Sequence, residues 1–514
     1  MENQVSEPVV SKRRGRSARS AARAAEVTPR LPTIRYGIKP VELVSDDELE
    51  RIHQYSLSIL KEVGIDFRDE VALAHWKDAG ADVQGQRVHL DSELVESLLS
   101  KAPASFEMTG RGADTRFEIG RGTVAFAPTH GPPNIRDLDG NRRLSTIEDL
   151  RQVNKIVQMS PGFHMASGFS CEPNDIPVPW RHLHINHSSF VETNLATFGM
   201  GTGQERSEDS VAMAEIVYGS EFLQNNVVMM THASGNSPLV WDETMLSGLR
   251  AFVLAGQGAL ISPFVLGAAN TPADVVSTVV QLNAEAIACI AYAQLVKPGA
   301  PCIYGHFSVA VSMKTGAPMS GMPEINLLNG IIGQLARRYD IPWRTTASNS
   351  SSKSFDAQSG YESATSYMAG ITANANLMLH AGGWDEAGMV HCLRKLVVDA
   401  EQNLLMAKYA AGVNFDLLDE GMEAVRRIGP GGHYLGDAFT LKHFRTAFSS
   451  PEILDYEAWE HWEINGSRDM PAQAKEKAEV LLAEYQTPAL DSSKLEALNA
   501  YIAKRQEQIP AKLT

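Results

Sequence analysis

Residues Pro301–Glu324, PCIYGHFSVAVSMKTGAPMSGMPE, follow one long apolar helical pattern and precede another. The stretch reads as a buried strand opening into a long polar loop. Tyr304, His306 and Phe307 stand where the strand ends, and Lys314, Gly316, Pro318, Gly321 and Glu324 follow with no hydrophobic periodicity. In a chain of repeated strand–helix units, such a loop lies at the edge of the sheet that carries chemistry.

The same alternation recurs on both sides of this stretch. Apolar runs at 123–127, 163–169, 195–200, 227–231, 259–264, 301–304, 341–345 and 376–380 each precede a helical pattern. Those patterns fall at about 146–159, 180–193, 207–218, 241–255, 272–296, 322–339, 358–374 and 389–411. Eight units without a sheet-edge break predict an α/β fold, a closed (β/α)8 TIM barrel over 123–413. Upstream, Ser45 with Asp46, Asp47 and Glu48 forms an N-cap and acidic first turn, and further helices are expected near 69–78 and 91–101. Residues 31–122 therefore read as an N-terminal helical cap with short strands, and 414–514 as a helical C-terminal extension packed on the barrel. Residues 1–30, with Lys12, Arg13, Arg14, Arg16, Arg19 and Arg23 among Ser and Ala, read as a disordered basic tail. No apolar region follows these arginines, as an export signal would require.

The net charge of −15 argues against a nucleic-acid or membrane partner. No uninterrupted apolar run approaches the roughly 18 residues that span a bilayer. Cys171, Cys289, Cys302 and Cys392 are widely separated and match no CxxC spacing, which suits the reduced thiols of a cytoplasmic protein.

His182, His184 and His187 suggest a metal site at first sight, but they lie in an expected helix where positions two apart diverge, and packing roles are expected for them. No G-x-x-x-x-G-K-[ST], G-x-S-x-G or H-E-x-x-H motif is present. The barrel reading places Thr129, His130, Phe169, Met200, His232, Phe264, Tyr304, His306, Phe307, Thr345, Asn349, His380, Gly383 and Trp384 at the C-terminal strand ends. Aromatic and imidazole groups dominate that set. A mouth of this kind suits a quaternary ammonium, whose diffuse charge is held by ring faces at roughly 0.5–2 kcal/mol each.

Three segments together resemble one family: Tyr304-Gly-His-Phe through Lys314-Thr-Gly-Ala-Pro318 to Glu324; Asp356-Ala-Gln-Ser-Gly-Tyr-Glu362; and GGHYLGDAFTLKHFRTAFSSPEILD at 431–455. In this order they resemble the trimethylamine methyltransferase (MttB-like) superfamily, from about Gly64 to the C-terminus. The resemblance implies a TIM-barrel enzyme that moves a methyl group from a methylated amine to the Co(I) of a separate corrinoid protein. It also implies a homo-oligomer. The founding trimethylamine enzymes carry pyrrolysine, and this sequence holds standard residues only, which points to a quaternary amine, with glycine betaine as the default. No cofactor is expected in the chain itself: the run Gly431-Gly-His433-Tyr-Leu-Gly436 resembles half of a corrinoid-binding Asp-x-His-x-x-Gly signature but has Gly431 at the aspartate position. Tyr304, Phe307, Trp343 and Trp384 are then expected as cage walls. His306, His232, Glu324, Asp356, Gln358 and Glu362 are expected to orient the substrate or balance charge, and His306, Asn349 or backbone amides to meet a substrate carboxylate. Two other functions remain open: a metal-assisted barrel hydrolase and a non-catalytic binder of methylated amines.

Overall fold

A computed structural model of the protein describes residues 29–511. The expected basic tail lies outside the described residues except for its last two positions. Of these, Arg30 donates to the carbonyl oxygens of Gln158 at 2.6 Å and Phe163 at 2.7 Å, pinning the chain entry to the body.

The fold is mixed α/β, built on a curled eight-stranded sheet. Seven strands run parallel: β1 (Thr123–Phe126), β2 (Thr197–Phe198), β3 (Met229–Ala233), β4 (Gly258–Ile261), β5 (Cys302–Gly305), β6 (Trp343–Thr346) and β7 (Leu377–Leu379). They stand in the order β1-β7-β6-β5-β4-β3-β2, and Ile34–Arg35 pairs antiparallel beside β1. Strands such as GALI in β4 and CIYG in β5 are buried along their whole length, which is why they read as continuous apolar runs. Alternate residues still part company. Ala125, Met230, Leu260, Ile303 and Leu377 meet on the concave face, whereas Phe126, Ala259, Cys302, Tyr304 and Trp343 face the helices.

The run expected as a strand at 163–169 forms only a single parallel bridge, Met165 to Ala196. Gly168, at φ +69°, and the turn bond from Phe169 N to Ser167 O cut it short. The segment nevertheless touches both ends of the parallel row: His164 N donates to Phe126 O at 3.0 Å, and Ala166 N to Ala196 O at 2.9 Å.

Eight helices follow within about four residues of the expected bounds: α1 (Ile147–Met159), α2 (Arg181–Glu192), α3 (Gln204–Tyr218), α4 (Glu243–Leu254), α5 (Val275–Val296), α6 (Pro323–Tyr339), α7 (Ala357–Thr372) and α8 (Leu393–Ala410). By length and composition α5 could cross a membrane, but it is packed between the sheet and the N-terminal helices, with 72% of its most apolar window buried.

The quoted stretch differs from its reading as a polar loop. Phe307–Val311 is a further strand, parallel to Phe264–Gly267 and antiparallel to Pro318–Met319. Phe-Ser-Val-Ala-Val is a short, mostly apolar run with strand-favouring Phe and Val, and only His306 separates it from β5, so the run does not stand out as a second strand. Lys314 to Gly316 make the exposed turn of this ribbon, where Gly316 takes φ +73°.

Upstream, Ser45 and Glu48 form a capping box on Asp46–Ser58. Ile65–Arg68 joins the strand Val240–Asp242 that follows β3, tying the N-terminal region to the main body. At the other end, α9 (Met470–Glu484) contributes Ala478 and Leu481 to a cluster with α1 and α8. In α10 (Ser492–Gln508), Leu498 and Ile502 pack against Leu183 of α2 and Met213 and Val217 of α3. Buried Asp209 of α3 is the polar centre of that seam, bonded to His182 of α2 at 2.8 Å, Tyr501 at 2.6 Å and Arg505 Nε at 2.7 Å.

Candidate active site

The C-terminal ends of the parallel strands bring together two groups of rings. The ladder register sets Phe264 opposite Phe307, and their rings stack at 5.3 Å and 8°. Trp384 lies 5.5 Å from Phe307, and His380 lies 5.7 Å from Phe307 and 4.2 Å from Trp384. His380 holds φ +62°, a costly conformation for a non-glycine residue and of the kind that clusters at functional sites. Gly388 makes room for the indole: a Cβ there would sit 2.4 Å from Trp384 Cζ2. The second group centres on His130, 5.4 Å from Phe169, 5.3 Å from Phe198 and 5.4 Å from His232. His130 N approaches His380 Nδ1 at 3.4 Å, which joins the groups.

Burial keeps these imidazoles neutral. It lowers His130 to about 4 and His306 to about 3, and pushes His232 and His380 well below the ordinary histidine range, with nearby Arg344 adding to each shift. Arg344 projects from β6 onto the concave face and is 0% exposed. Its Nη1 donates to the His306 carbonyl, its Cζ lies 6.0 Å from the Phe307 ring, and its Nε and Nη2 have no hydrogen-bond partner among the described residues. Burial pulls its pKa down to about 9, so it is still a cation at neutral pH. Other buried polar atoms without a described partner belong to the same strand ends: His232 Nε2, Ser262 Oγ, Asn349 Oδ1 and Trp384 Nε1. Just behind Trp384, Asp385 is buried 3.8 Å from Arg136 Nε, and burial raises it to about 7.

Of the residues singled out from sequence, Phe307, Trp384 and His232 meet in this cluster. Tyr304 and Trp343 do not. Tyr304 faces the helices and donates to Asn283 Oδ1 of α5 at 2.9 Å; Trp343 Nε1 donates to Asn374 O at 3.0 Å. Both sit on the parity of β5 and β6 that faces outward, as does Thr345, bonded to Asn329 of α6. Tyr304→Phe is accordingly expected to lower stability by about 1 kcal/mol, measured by urea unfolding, with ligand affinity unchanged.

His306 is buried with Nδ1 3.1 Å from Ser308 Oγ, and it is its backbone oxygen that meets Arg344. Glu324 is exposed in the first turn of α6. Asp356 caps α7, accepting from Ser359 N at 3.1 Å and from the hydroxyls of Ser352 and Ser354. Exposed Gln358 donates to Glu362, whose other oxygen accepts from Ser351 N at 2.7 Å. These side chains brace the loop after β6 that carries Asn349. His182, His184 and His187 do not converge: their partners are Asp209, Gln506 and Asn499. His433 is exposed in the turn between helices Leu418–Ile428 and Ala438–Ala447. Arg344 is the residue that sequence reasoning missed, although a charge inside a run buried on both faces was a signal in itself.

The family model for trimethylamine methyltransferase (MTTB) matches residues 12–510. The chain is 34% identical over 468 residues to a glycine betaine methyltransferase of Desulfitobacterium hafniense (strain Y51), covering 91% of this chain and 98% of that protein. It is 26% identical to a proline betaine:corrinoid methyltransferase of Eubacterium limosum, covering 89% and 96%. Among solved structures, the monomethylamine methyltransferase MtmB of Methanosarcina barkeri superposes with a TM-score of 0.51 at 10% identity, over 89% of each chain.

Proposed function

The chain belongs to the trimethylamine methyltransferase (MTTB) family and is a methyltransferase, and we propose that it moves a methyl group from a quaternary amine, glycine betaine or a close relative, to the Co(I) of a corrinoid carried by a separate protein. The observation that carries this reading is the ring cluster of Phe264, Phe307, His380 and Trp384 at the strand ends. A quaternary ammonium has no N–H to donate, and stacked ring faces are the groups that hold it.

The fold beneath this reading is a (β/α)8 barrel over 123–413, with segment 163–166 as its remaining stave. Its bonds to both β1 and the residue before β2 support that closure. The cap over 31–122 and the extension over 414–514 belong to the same reading.

In the reaction the C–N bond of one N-methyl group breaks and its electron pair stays on nitrogen, which leaves as a neutral tertiary amine. The corrinoid, when bound by its carrier, supplies the nucleophilic electron pair. No general acid is needed, and the neutral imidazoles of His130, His232 and His380 suit such a step. This chain's own residues hold and aim the substrate: Phe307 and Trp384 fix the ammonium with one methyl toward the open end of the strands. Their apolar surface keeps water from the reacting atoms. Asp356, Gln358 and Glu362 act at one remove, by fixing the loop of Asn349.

Mixing the protein with glycine betaine and a reduced corrinoid is expected to discharge the Co(I) absorbance in proportion to dimethylglycine formed. Ligand binding without spectral change, for every methylated amine tried, would instead make the protein a binder.

A further inference from the structure

A guanidinium buried without a counter-charge is costly, and buried charges in proteins are normally paired. Arg344 is fully buried, yet no carboxylate among the described residues lies within 4.0 Å of it. Its three nitrogens are not equally free. Nη1 is taken by the His306 carbonyl, which leaves Nε and Nη2 without partners. Those two N–H groups point the same way, along the side edge of the guanidinium, the face that grips a carboxylate through two parallel hydrogen bonds. The histidines around it are neutral and offer no anion. A ligand carboxylate would supply the partner that the described residues do not.

Phe307 gives the ligand its second half. Its ring lies 6.0 Å from Arg344 Cζ and also borders Phe264, His380 and Trp384. Phe307 thus borders both the unpaired guanidinium and the ring cluster that would take an ammonium. We propose that Arg344 is the carboxylate receptor of the substrate site, so that the protein takes carboxylate-bearing quaternary amines and rejects those without an anion. This rests on reading the ring cluster as the quaternary-amine site. A quaternary amine lacking the carboxylate would bring a second cation beside Arg344 in a water-poor pocket and leave its two donors unmade. Discrimination by an unmade buried hydrogen bond reaches 10⁴–10⁵ in favourable cases, so a factor of about 100 is a modest expectation here.

The test is equilibrium binding to the full chain by calorimetry, with glycine betaine, its methyl ester, choline and tetramethylammonium as probes, on wild type, Arg344→Met and Arg344→Lys. Wild type is expected to bind glycine betaine about 100-fold tighter than the other three. Arg344→Met should weaken glycine betaine about 100-fold, erase the preference, and leave the melting temperature unchanged or higher, since it removes an unpaired buried charge. Arg344→Lys restores the charge without the fork and should recover about a tenth of the affinity. Equal wild-type affinity for choline and glycine betaine, unchanged glycine betaine affinity in Arg344→Met, or no wild-type binding of any carboxylated quaternary amine overturns the proposal. Methyl transfer separates this from the reading beneath it. Arg344-dependent betaine binding with no methyl passing to a reduced corrinoid sinks the enzyme reading alone; methyl passing equally well from choline sinks the receptor alone.

Discussion

Lowering the pH from 7 to 5 is expected to cost the protein at least about 5 kcal/mol of stability, a large part of the 5–15 kcal/mol typical of a folded protein, with His130 and His232 adding to the four histidines named next. The cause is a set of fully buried histidines: His164, His306, His380 and His391 are 1%, 1%, 3% and 0% exposed. Burial holds His164 and His391 at about 4 and His306 at about 3, and lowers His380 well below its usual range. In the unfolded chain each takes up a proton below about pH 6.5 that the fold refuses. The stability they confer is thus intact above pH 6.5 and lost as pH falls toward their folded values, by about 2 kcal/mol each at pH 5 for His164, His306 and His391, with His380 acting in the same direction. Asp385 works in the opposite sense: its folded pKa of about 7 lies above the unfolded one, so protonation on acidification offsets about 2 kcal/mol. Lys395, Arg136, Asp399, Glu386 and Cys392 are the ionisable neighbours that act on it.

His164 shows the mechanism. Its Nδ1 accepts from Phe126 N at 3.2 Å while Nε2 donates to Pro32 O at 3.0 Å, and a second ring proton would face the Phe126 N–H. Urea unfolding at the two pH values reads the effect as a drop in midpoint, and His164→Gln should remove about 2 kcal/mol of it. Equal midpoints at pH 7 and pH 5 would rule the account out.

The second large effect is expected from Lys395→Met. Lys395 and Asp399 are 1% and 4% exposed, with Nζ 2.8 Å from Asp399 Oδ2 and 2.9 Å from the Ser348 carbonyl. Asp399 in turn accepts from Ser348 Oγ at 2.7 Å and from Gly383 N at 2.8 Å. One ion pair therefore ties the loop after β6 to the loop after β7, one residue from Trp384. Removing the lysine leaves an uncompensated carboxylate in the core, at a cost of about 3–5 kcal/mol. Thermal unfolding should show a drop of several degrees, and glycine betaine affinity should fall about tenfold as Trp384 loses its fixed position. Lys395→Met with Asp399→Leu should regain most of the stability without restoring the affinity. A single mutant as stable as wild type would show the pair to be dispensable.

Helices and most strands were legible because their signals are local: Ser45 and Glu48 form the box that their spacing announces, and the apolar runs GALI and CIYG are strands. What sequence could not give was the facing of each strand. β5 is buried on both sides, so no polar–apolar contrast says whether Tyr304 or Gly305 looks inward. The same blindness put Trp343 and Thr345 in the expected site and passed over Arg344 between them. The stacking of Phe264 on Phe307 depends on a ladder between segments 43 positions apart, a register that no local window contains. The acids at Glu324 and Asp356 stand at helix starts, and a helix start explains an acid whether or not chemistry is near, whereas Glu362 lies a turn inside α7 and holds Ser351 N.

The Asp209 clasp sets a timetable for synthesis. Asp209 and Arg505 are separated by 296 positions, roughly 15–60 s of translation at 5–20 residues per second. Until α10 leaves the ribosome, the seam of Leu183, Met213 and Val217 has no Leu498 or Ile502 over it, and the His182–Asp209 pair lacks its guanidinium. The growing polypeptide thus offers an apolar surface that the folded molecule hides, and the emergence of α10 decides when that surface closes.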